Sequence, residues 1–372
     1  MGEHSIYAPS SLERIAHCPG CIHACANLPE RPAEAITEQG TAIHEMVAEY
    51  LATNTAGARE GEAIREAIAT AHPEAAAEAV ELAAECVEFA ERIIGQRSGA
   101  VDIETRLEVP DLYFGTADVV IDSPESLTII DWKSGYKEVT EAANNLQGKA
   151  YALAAAMKYG FKPVTVHFFM PRLHKATECT FTDIQALYDE IDSIIEASQQ
   201  DNAELHTGEH CTYCPAFYFG ACPQVNGIAT AYAARNDNPA ELTEGELAMR
   251  YETLAFLAKA FENLKAVMLE RVKAAPGGKY AGYQIRSTGG GYDCKDIPAI
   301  MDEAAGLMPT AEVMQFVTLS VDKLATAYGK KGKEHGDFKS AAEGKAAFLG
   351  EVSQYLEAKP PRQTLVKIKP EA

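Results

Sequence analysis

The stretch Gly115–Gly135, GTADVVIDSPESLTIIDWKSG, decides the fold. Two apolar runs rich in Val and Ile flank a Ser-Pro-Glu-Ser turn, which is a β-hairpin signature. The first run carries Asp118, and the second carries Asp131 and Lys133. Side chains alternate along a strand, so Asp131 and Lys133 share one face while Ile130 and Trp132 take the other. A carboxylate within an apolar strand is costly to bury unless it is paired or binds a metal. Two acids and a lysine on neighbouring strands therefore read either as a buried ion pair or as a divalent-cation site with a cationic helper.

The segments around the hairpin supply a sheet and its covering helices. Val101–Val109 reads as a strand before it. Asn144–Tyr159 reads as a helix after it, followed by a strand at Pro163–Met170 and a helix at Phe181–Ser198. Upstream, Ser10-Ser11-Leu12-Glu13 has the form of a capping box for a short helix ending at Cys18-Pro19-Gly20-Cys21. Glu38-Gln39-Gly40-Thr41 opens a second helix, striped by Ile43, Val47, Tyr50 and Leu51, with His44 beside the stripe. A long Ala/Glu-rich helix is expected over 73–94, with Cys86 on its core face beside Leu82 and Phe89. The order of elements predicts a mixed α/β (α+β) domain with a central mixed sheet flanked by helices. After residue 236 the texture changes. Thr243–Ala274 reads as one long helix, Tyr280–Ser287 as a strand, and Gly289–Gly291 as a turn. Helical segments with Lys330, Lys331 and Lys333 close the chain, and that lysine cluster reads as a solvated loop. The expected division is residues 1–236 as the main domain and 237–372 as a mainly helical accessory region.

Composition narrows the function classes. The 372-residue chain is 47% hydrophobic, enough for a sizeable core, and its formal net charge is -21. That charge argues against a nonspecific polyanion binder, so any nucleic-acid site must be local or rest on metal ions. No run of 18 apolar residues and no basic-then-apolar leader pattern is present, which points to a cytoplasmic protein with no membrane partner. Nine cysteines in such a chain point to metal or cluster ligation rather than disulfides.

Gln147 and Tyr151, four apart on the helix after the hairpin, share a face. The collected set is His44, Asp118, Asp131, Lys133, Gln147 and Tyr151. Taken alone, His44 is an ordinary histidine, Tyr151 is core packing and Gln147 is helix surface. Together, G-T-A-D, I-I-D-W-K and Q-G-K-A-Y resemble the motifs of the PD-(D/E)xK nuclease superfamily. The upstream His and the downstream Q-x-x-x-Y resemble its RecB-like branch. The cysteines sharpen the likeness, since the iron–sulfur members, AddB and the CRISPR adaptation exonucleases among them, place one cysteine before the motifs and three after. Here Cys18 precedes them, and Cys211, Cys214 and Cys222 follow. The Ser…Cys-Pro-Gly start and the G-T-x-x-H of Gly40, Thr41 and His44 are similar to those of phage and prophage RecB-like proteins. The likeness spans roughly residues 10–225.

The resemblance implies a Mg²⁺- or Mn²⁺-dependent deoxyribonuclease, expected to be an exonuclease, serving phage-type recombination, repair or replication. It implies Asp118 and Asp131 as metal ligands, with the backbone carbonyl of Trp132 and the His44 ring. Lys133 would stabilise developing charge, and Gln147 and Tyr151 would position it and the scissile phosphate. DNA, single-stranded or with free ends, is the implied partner, with a phage recombinase, single-strand-binding protein or helicase as protein partners. For the cysteines, a [4Fe–4S] cluster on Cys18, Cys211, Cys214 and Cys222 competes with a structural Zn²⁺ on Cys18, Cys21, Cys211 and Cys214. The three-ligand run and the Pro after Cys18, Cys214 and Cys222 favour the cluster. Cys25, Cys179 and Cys294 read as free thiols. The rival from another class is a catalytically silent DNA-binding scaffold that keeps the metal-stapled fold.

Overall fold

The structure is a computed structural model that describes residues 5–29, 31–32, 35–53, 61–235, 242–285, 314 and 321–352. Two compact units divide it at Ile285/Arg286. The first holds five short or long helices, α1 (Leu12–His17), α2 (Cys21–Cys25), α3 (Ala35–Thr53), α4 (Gly61–Ala71) and α5 (Ala77–Gly95), before the sheet begins. Strands β1 (Ala100–Val109), β2 (Tyr113–Asp122) and β3 (Leu127–Trp132) follow, then α6 (Leu146–Tyr159), β4 (Val164–Met170) and β5 (Lys175–Phe181). The unit ends with α7 (Ile184–Gln199), α8 (Pro215–Tyr218), α9 (Pro223–Ala233), α10 (Glu244–Ala274) and the two-residue strands β6 (Lys279–Tyr280) and β7 (Tyr283–Gln284). Among the described residues no helix is long and apolar enough to cross a membrane.

The protein is mixed α/β, as the sequence pattern predicts. The sheet order is β1-β2-β3-β4-β5. All neighbours are antiparallel except β3 and β4, which α6 joins as a β–α–β crossover. The predicted hairpin is β2–β3, with Val119 opposite Ile130, and the Ser123 N–H donates to the Ser126 carbonyl at 3.1 Å to close its turn. All six residues of β3 are buried, because helices cover both faces. Alternation sorts the core into two layers. Leu107, Val120, Ile129, Val166 and Phe168 pack under α6 and α7. Val119, Ile121, Ile130 and Trp132 pack under α3, α4 and α5. Phe89 of α5 anchors that second layer, stacked on Phe169 at 4.4 Å and edge-on to Trp132 at 6.4 Å.

Helix α6 lies close on the sheet because its buried side is made of Gly148, Ala150, Ala152, Ala154, Ala155 and Ala156. A Cβ at Gly148 would stand 2.9 Å from the Phe168 ring. Gly148→Ala should therefore destabilise the domain by about 1–3 kcal/mol through overpacking, despite the better helix propensity of Ala. Thermal denaturation checks this, and a raised Tm would show that the ring yields freely.

Several expectations need correction. The Ser10–Glu13 capping box does not form: Pro9–Ser11 is a 3₁₀ turn running into α1, and Ser11, itself helical, makes no side-chain cap bond. Helices α2, α4 and α9 and strand β5 were not expected. β5 is an edge strand with alternating half-buried and exposed residues, entered through the left-handed His174 (φ 48°). Phe181 ends it, so α7 starts only at Ile184, capped by Asp183, whose side chain accepts from Ala186 N–H at 3.0 Å. In place of the Tyr280–Ser287 strand, whose last two residues lie outside the described ones, the chain forms the β6–β7 ribbon, turned at Ala281 and Gly282 with φ of 47° and 84°. Gly289–Gly291 lie outside the described residues.

The break in sequence texture at 236 is not a break in packing. Helix α10, begun by a capping box of Thr243 and Glu246, packs Phe256 against Phe217 at 4.9 Å and so belongs to the first unit. Within the second unit, α11 (Val321–His335) and α12 (Ala341–Val352) pair, with the Tyr328 ring tilted against Phe348 at 4.9 Å. Lys330, Lys331 and Lys333 are exposed on the last turns of α11 rather than in a loop.

Candidate functional site

Register builds the site. Val119 faces Ile130 across β2 and β3, which sets Asp118 level with Asp131. Ile103 faces Val119 and Thr105 faces Ala117, which sets Glu104 of β1 level with Asp118. Three acids thus form one row across three strands. Asp118 and Asp131 are buried, so each carboxylate needs partners. Asp118 Oδ2 accepts the Trp132 N–H at 2.8 Å, and Oδ1 meets His44 Nδ1 at 3.0 Å. Asp131 Oδ2 pairs with Lys133 Nζ at 2.7 Å. Gln147 clamps that pair: its amide Nε2 donates to Asp131 Oδ1 at 3.1 Å, and its Oε1 accepts from Lys133 Nζ at 2.7 Å. Burial pushes the Asp131 carboxyl up, against the pull of Lys133 and with the push of Asp118. On His44 burial opposes the charge, but the hydrogen bond and charge of Asp118, with Asp131 behind it, prevail and raise its pKa.

Of the seven catalytic or metal candidates, His44, Asp118, Asp131, Lys133 and Gln147 meet in this row. The Tyr151 hydroxyl donates to the Thr116 carbonyl at 2.6 Å, so it braces β2 beneath the site. Of Trp132, the N–H is engaged by Asp118 as described. His44 reaches the row because α3 comes close to the loop after β3. A Cβ at Gly40 would stand 3.0 Å from Ser134 Oγ. Arg172, almost wholly buried, fixes the same loop by donating to the Ser134 carbonyl at 2.7 Å, to Gln39 Oε1 at 2.6 Å and to Glu78. A cleft of about 950 Å³ opens here, lined by His44, Glu104, Lys133, Ser134 and Tyr213 among others.

Glu104 and Arg172 are the residues that sequence reasoning missed. Glu104 sits inside β1 at φ 47°, a left-handed conformation that costs a non-glycine residue energy and persists where its surroundings hold it. Its carboxylate, exposed to the cleft, is pushed up by burial and by Asp118. Ligand atoms of His44, Glu104 and Asp118 all lie within 4.8 Å of one another, so these three could hold a metal ion. Two oxygen donors and one imidazole suit a hard or borderline divalent cation. Glu104→Gln should weaken Mn²⁺ binding roughly tenfold or more in a calorimetric titration. An unchanged affinity would remove Glu104 from the ligand set.

The cysteines gather elsewhere. Cys18, Cys21, Cys211, Cys214 and Cys222 are buried in one cluster with Ile15, Phe217 and Val225, and Cys25 packs against it. Cys25 is a free thiol as expected, and lies 3.7 Å from Cys214, sulfur to sulfur. Cys86 is in the core of α5 as expected, Cys179 is half-buried on β5, and Cys294 lies outside the described residues. Among the described residues no three cysteine sulfurs approach within 4.8 Å of one another, so the predicted four-cysteine set shares a pocket without forming a tight ligand group. The thiolate character is uneven. A hydrogen bond from Cys21 pulls the Cys18 thiol down to about 5, helped by the His206 N–H. A hydrogen bond from Cys25 pulls Cys214 down to about 6. Burial pushes Cys211 up. Arg14 Nη1 donates to Cys21 Sγ at 2.8 Å.

Fold and site together define a mixed α/β protein with a candidate His/carboxylate metal centre and a separate buried thiol cluster. The chain belongs to the family described as Protein of unknown function (DUF2800), whose model matches residues 4–367. Among solved structures it is similar to the crystal structure of SSO0001, at 14% identity over 51% of this chain and 97% of that chain, with a TM-score of 0.23. A likeness at that score carries no argument about fold or function.

Proposed function

We propose that the protein is a divalent-cation-dependent deoxyribonuclease of the RecB-like type, most simply an exonuclease. The observation that carries this reading is the Gln147 clamp, which ties Asp131 and Lys133 of the D-x-K strand into the row that also holds Asp118. A structural ion pair needs one acid and one base. Here two buried acids and an exposed third lie in a row beside a single lysine, and His44 closes the end. Excess carboxylate in one place suits a cation that neutralises it.

Asp118 and Asp131, with His44 and Glu104, would hold Mg²⁺ or Mn²⁺, and the bound ion would activate a water and neutralise phosphate charge. Lys133 presents its ammonium to the cleft, where it stabilises negative charge developing on the phosphate oxygens. Gln147 holds that ammonium in place. Asp118 meets the Trp132 N–H and so locks β3 against β2 at the site. His44, hydrogen-bonded to Asp118, keeps its ring oriented toward the row.

The thiols fit a soft-metal group. They are buried together, and Cys18, Cys211, Cys214 and Cys222 among them make up the ligand set expected for a [4Fe–4S] cluster. Such a cluster would staple α1 to the segment 209–223 and would take no part in phosphate chemistry.

With a net charge of -21 the surface repels DNA, so binding should depend on the divalent ion as well as cleavage. EDTA should weaken DNA binding in an anisotropy titration, and tight binding in EDTA would point to a basic groove instead. The reading itself is tested on end-labelled single- and double-stranded DNA with Mg²⁺, Mn²⁺ or EDTA. Metal-dependent shortening of the labelled strands is expected. Intact DNA under every condition would leave a silent DNA-binding scaffold.

A further inference from the structure

We infer that Tyr213 is a stacking platform for an unpaired nucleobase beside the reacting phosphate, which makes single-stranded DNA the substrate form; this rests on the nuclease reading. Tyr213 ends the 3₁₀ turn Glu209–Tyr213, between Cys211 and Cys214. Both flanking thiols are buried, at 5% and 6% exposure, and the Cys214 N–H donates to the Cys211 carbonyl at 3.0 Å. Arg31 donates to the carbonyl of Thr212. The main chain at Tyr213 is therefore held from both sides, while the residue is 68% exposed and lines the cleft that holds His44, Glu104 and Lys133. A large ring held out by a rigid turn at the mouth of an ion site offers a flat face at low cost in side-chain ordering.

The charge balance says what that face is for. A chain at -21 cannot hold a polyanion by a general basic surface, so affinity beyond the ion must come from contacts that do not depend on charge. Base–aromatic stacking is such a contact, and it tolerates any sequence because every base has a π-face. In a duplex those faces are occupied by neighbouring bases, so only an unpaired strand can use the ring. The same turn carries Cys211 and runs directly into Cys214, so the thiol pocket sets the position of the substrate platform.

The test is steady-state cleavage by the full chain, with metal and sulfur content of each variant matched to wild type. Tyr213→Ala should raise KM for single-stranded DNA about tenfold with kcat little changed. Tyr213→Phe and Tyr213→Trp should keep the wild-type KM, while Tyr213→Leu, which fills similar space without a π-face, should behave like alanine. A wild-type KM in Tyr213→Ala, or equal loss in the alanine and phenylalanine variants, overturns the stacking role and leaves the nuclease reading standing. A wild-type enzyme that prefers fully paired duplex also overturns it. If wild-type protein neither binds nor cuts DNA in Mn²⁺, the nuclease reading fails and takes this inference with it.

Discussion

Asp131→Ala should abolish metal-dependent DNA cleavage and leave the protein at least as stable as wild type. The two halves of that expectation have one cause. Asp131 lies level with Asp118, so in the metal-free protein like charges crowd a buried row. Removing one relieves repulsion and the cost of burying a carboxylate. Lys133 loses its 2.7 Å partner but keeps Gln147 and remains partly open to water. Activity has no such relief, because a metal ligand is gone. Lys133→Ala should cut the rate by roughly 10²-fold or more, the scale seen when one transition-state charge partner is lost. Rates are read on labelled DNA and stability by thermal denaturation in EDTA. Both variants digesting DNA at the wild-type rate would place any nuclease activity elsewhere in the chain.

The second large effect concerns the thiol cluster. Cys18 and Cys211 lie about 190 residues apart, yet share one pocket. Closing so long a loop costs entropy that grows only slowly with length, so a group that bridges it converts binding energy into folding energy. Protein purified without oxygen should be brown and carry about four irons per chain. Cys211→Ala should lose the colour and unfold at a much lower temperature, because the bridge between α1 and the 209–223 segment is gone. Cys21→Ala should stay brown, since Cys21 lies outside the proposed ligand set of Cys18, Cys211, Cys214 and Cys222. Colourless, well-folded wild-type protein with one bound zinc would sink the iron–sulfur reading. A brown Cys18→Ala variant beside a colourless Cys21→Ala variant would exchange their roles.

The hairpin and its acids were legible because they obey a period of two over a long, strongly apolar run bounded by a turn. Gln147 was legible from its spacing to Tyr151 once the helix was placed. Glu104 was not, since Asp102, Glu104, Arg106 and Glu108 all fall at alternate positions of β1 and nothing local marks which of them lies level with Asp118. Only the pairing register shows that, and register is a property of two strands. β5 was missed because an edge strand buries half of one face and so lacks an apolar run. Helix α4 was missed because its apolar stripe is short, with Ile64 and Ile68 alone fully buried. Arg172 follows a strand in a short turn, and its three partners come from α3, α5 and the loop after β3, which no sequence window joins. Helix α10 read as a separate region because its apolar residues, Leu247, Tyr251 and Phe261 among them, are largely exposed and the sequence texture changes before it. Phe256, Leu257 and Ala260 pack it against the thiol cluster.

The acid row and His44 are proposed as a single divalent-cation site, and crystals soaked in Mn²⁺ and measured at the manganese absorption edge test it most directly. An anomalous peak is expected in the cleft within about 2.3 Å of carboxylate oxygens of Asp118 and Asp131, absent from Asp118→Asn crystals. A cleft without a peak at saturating Mn²⁺, or a peak only at surface acids, would contradict it.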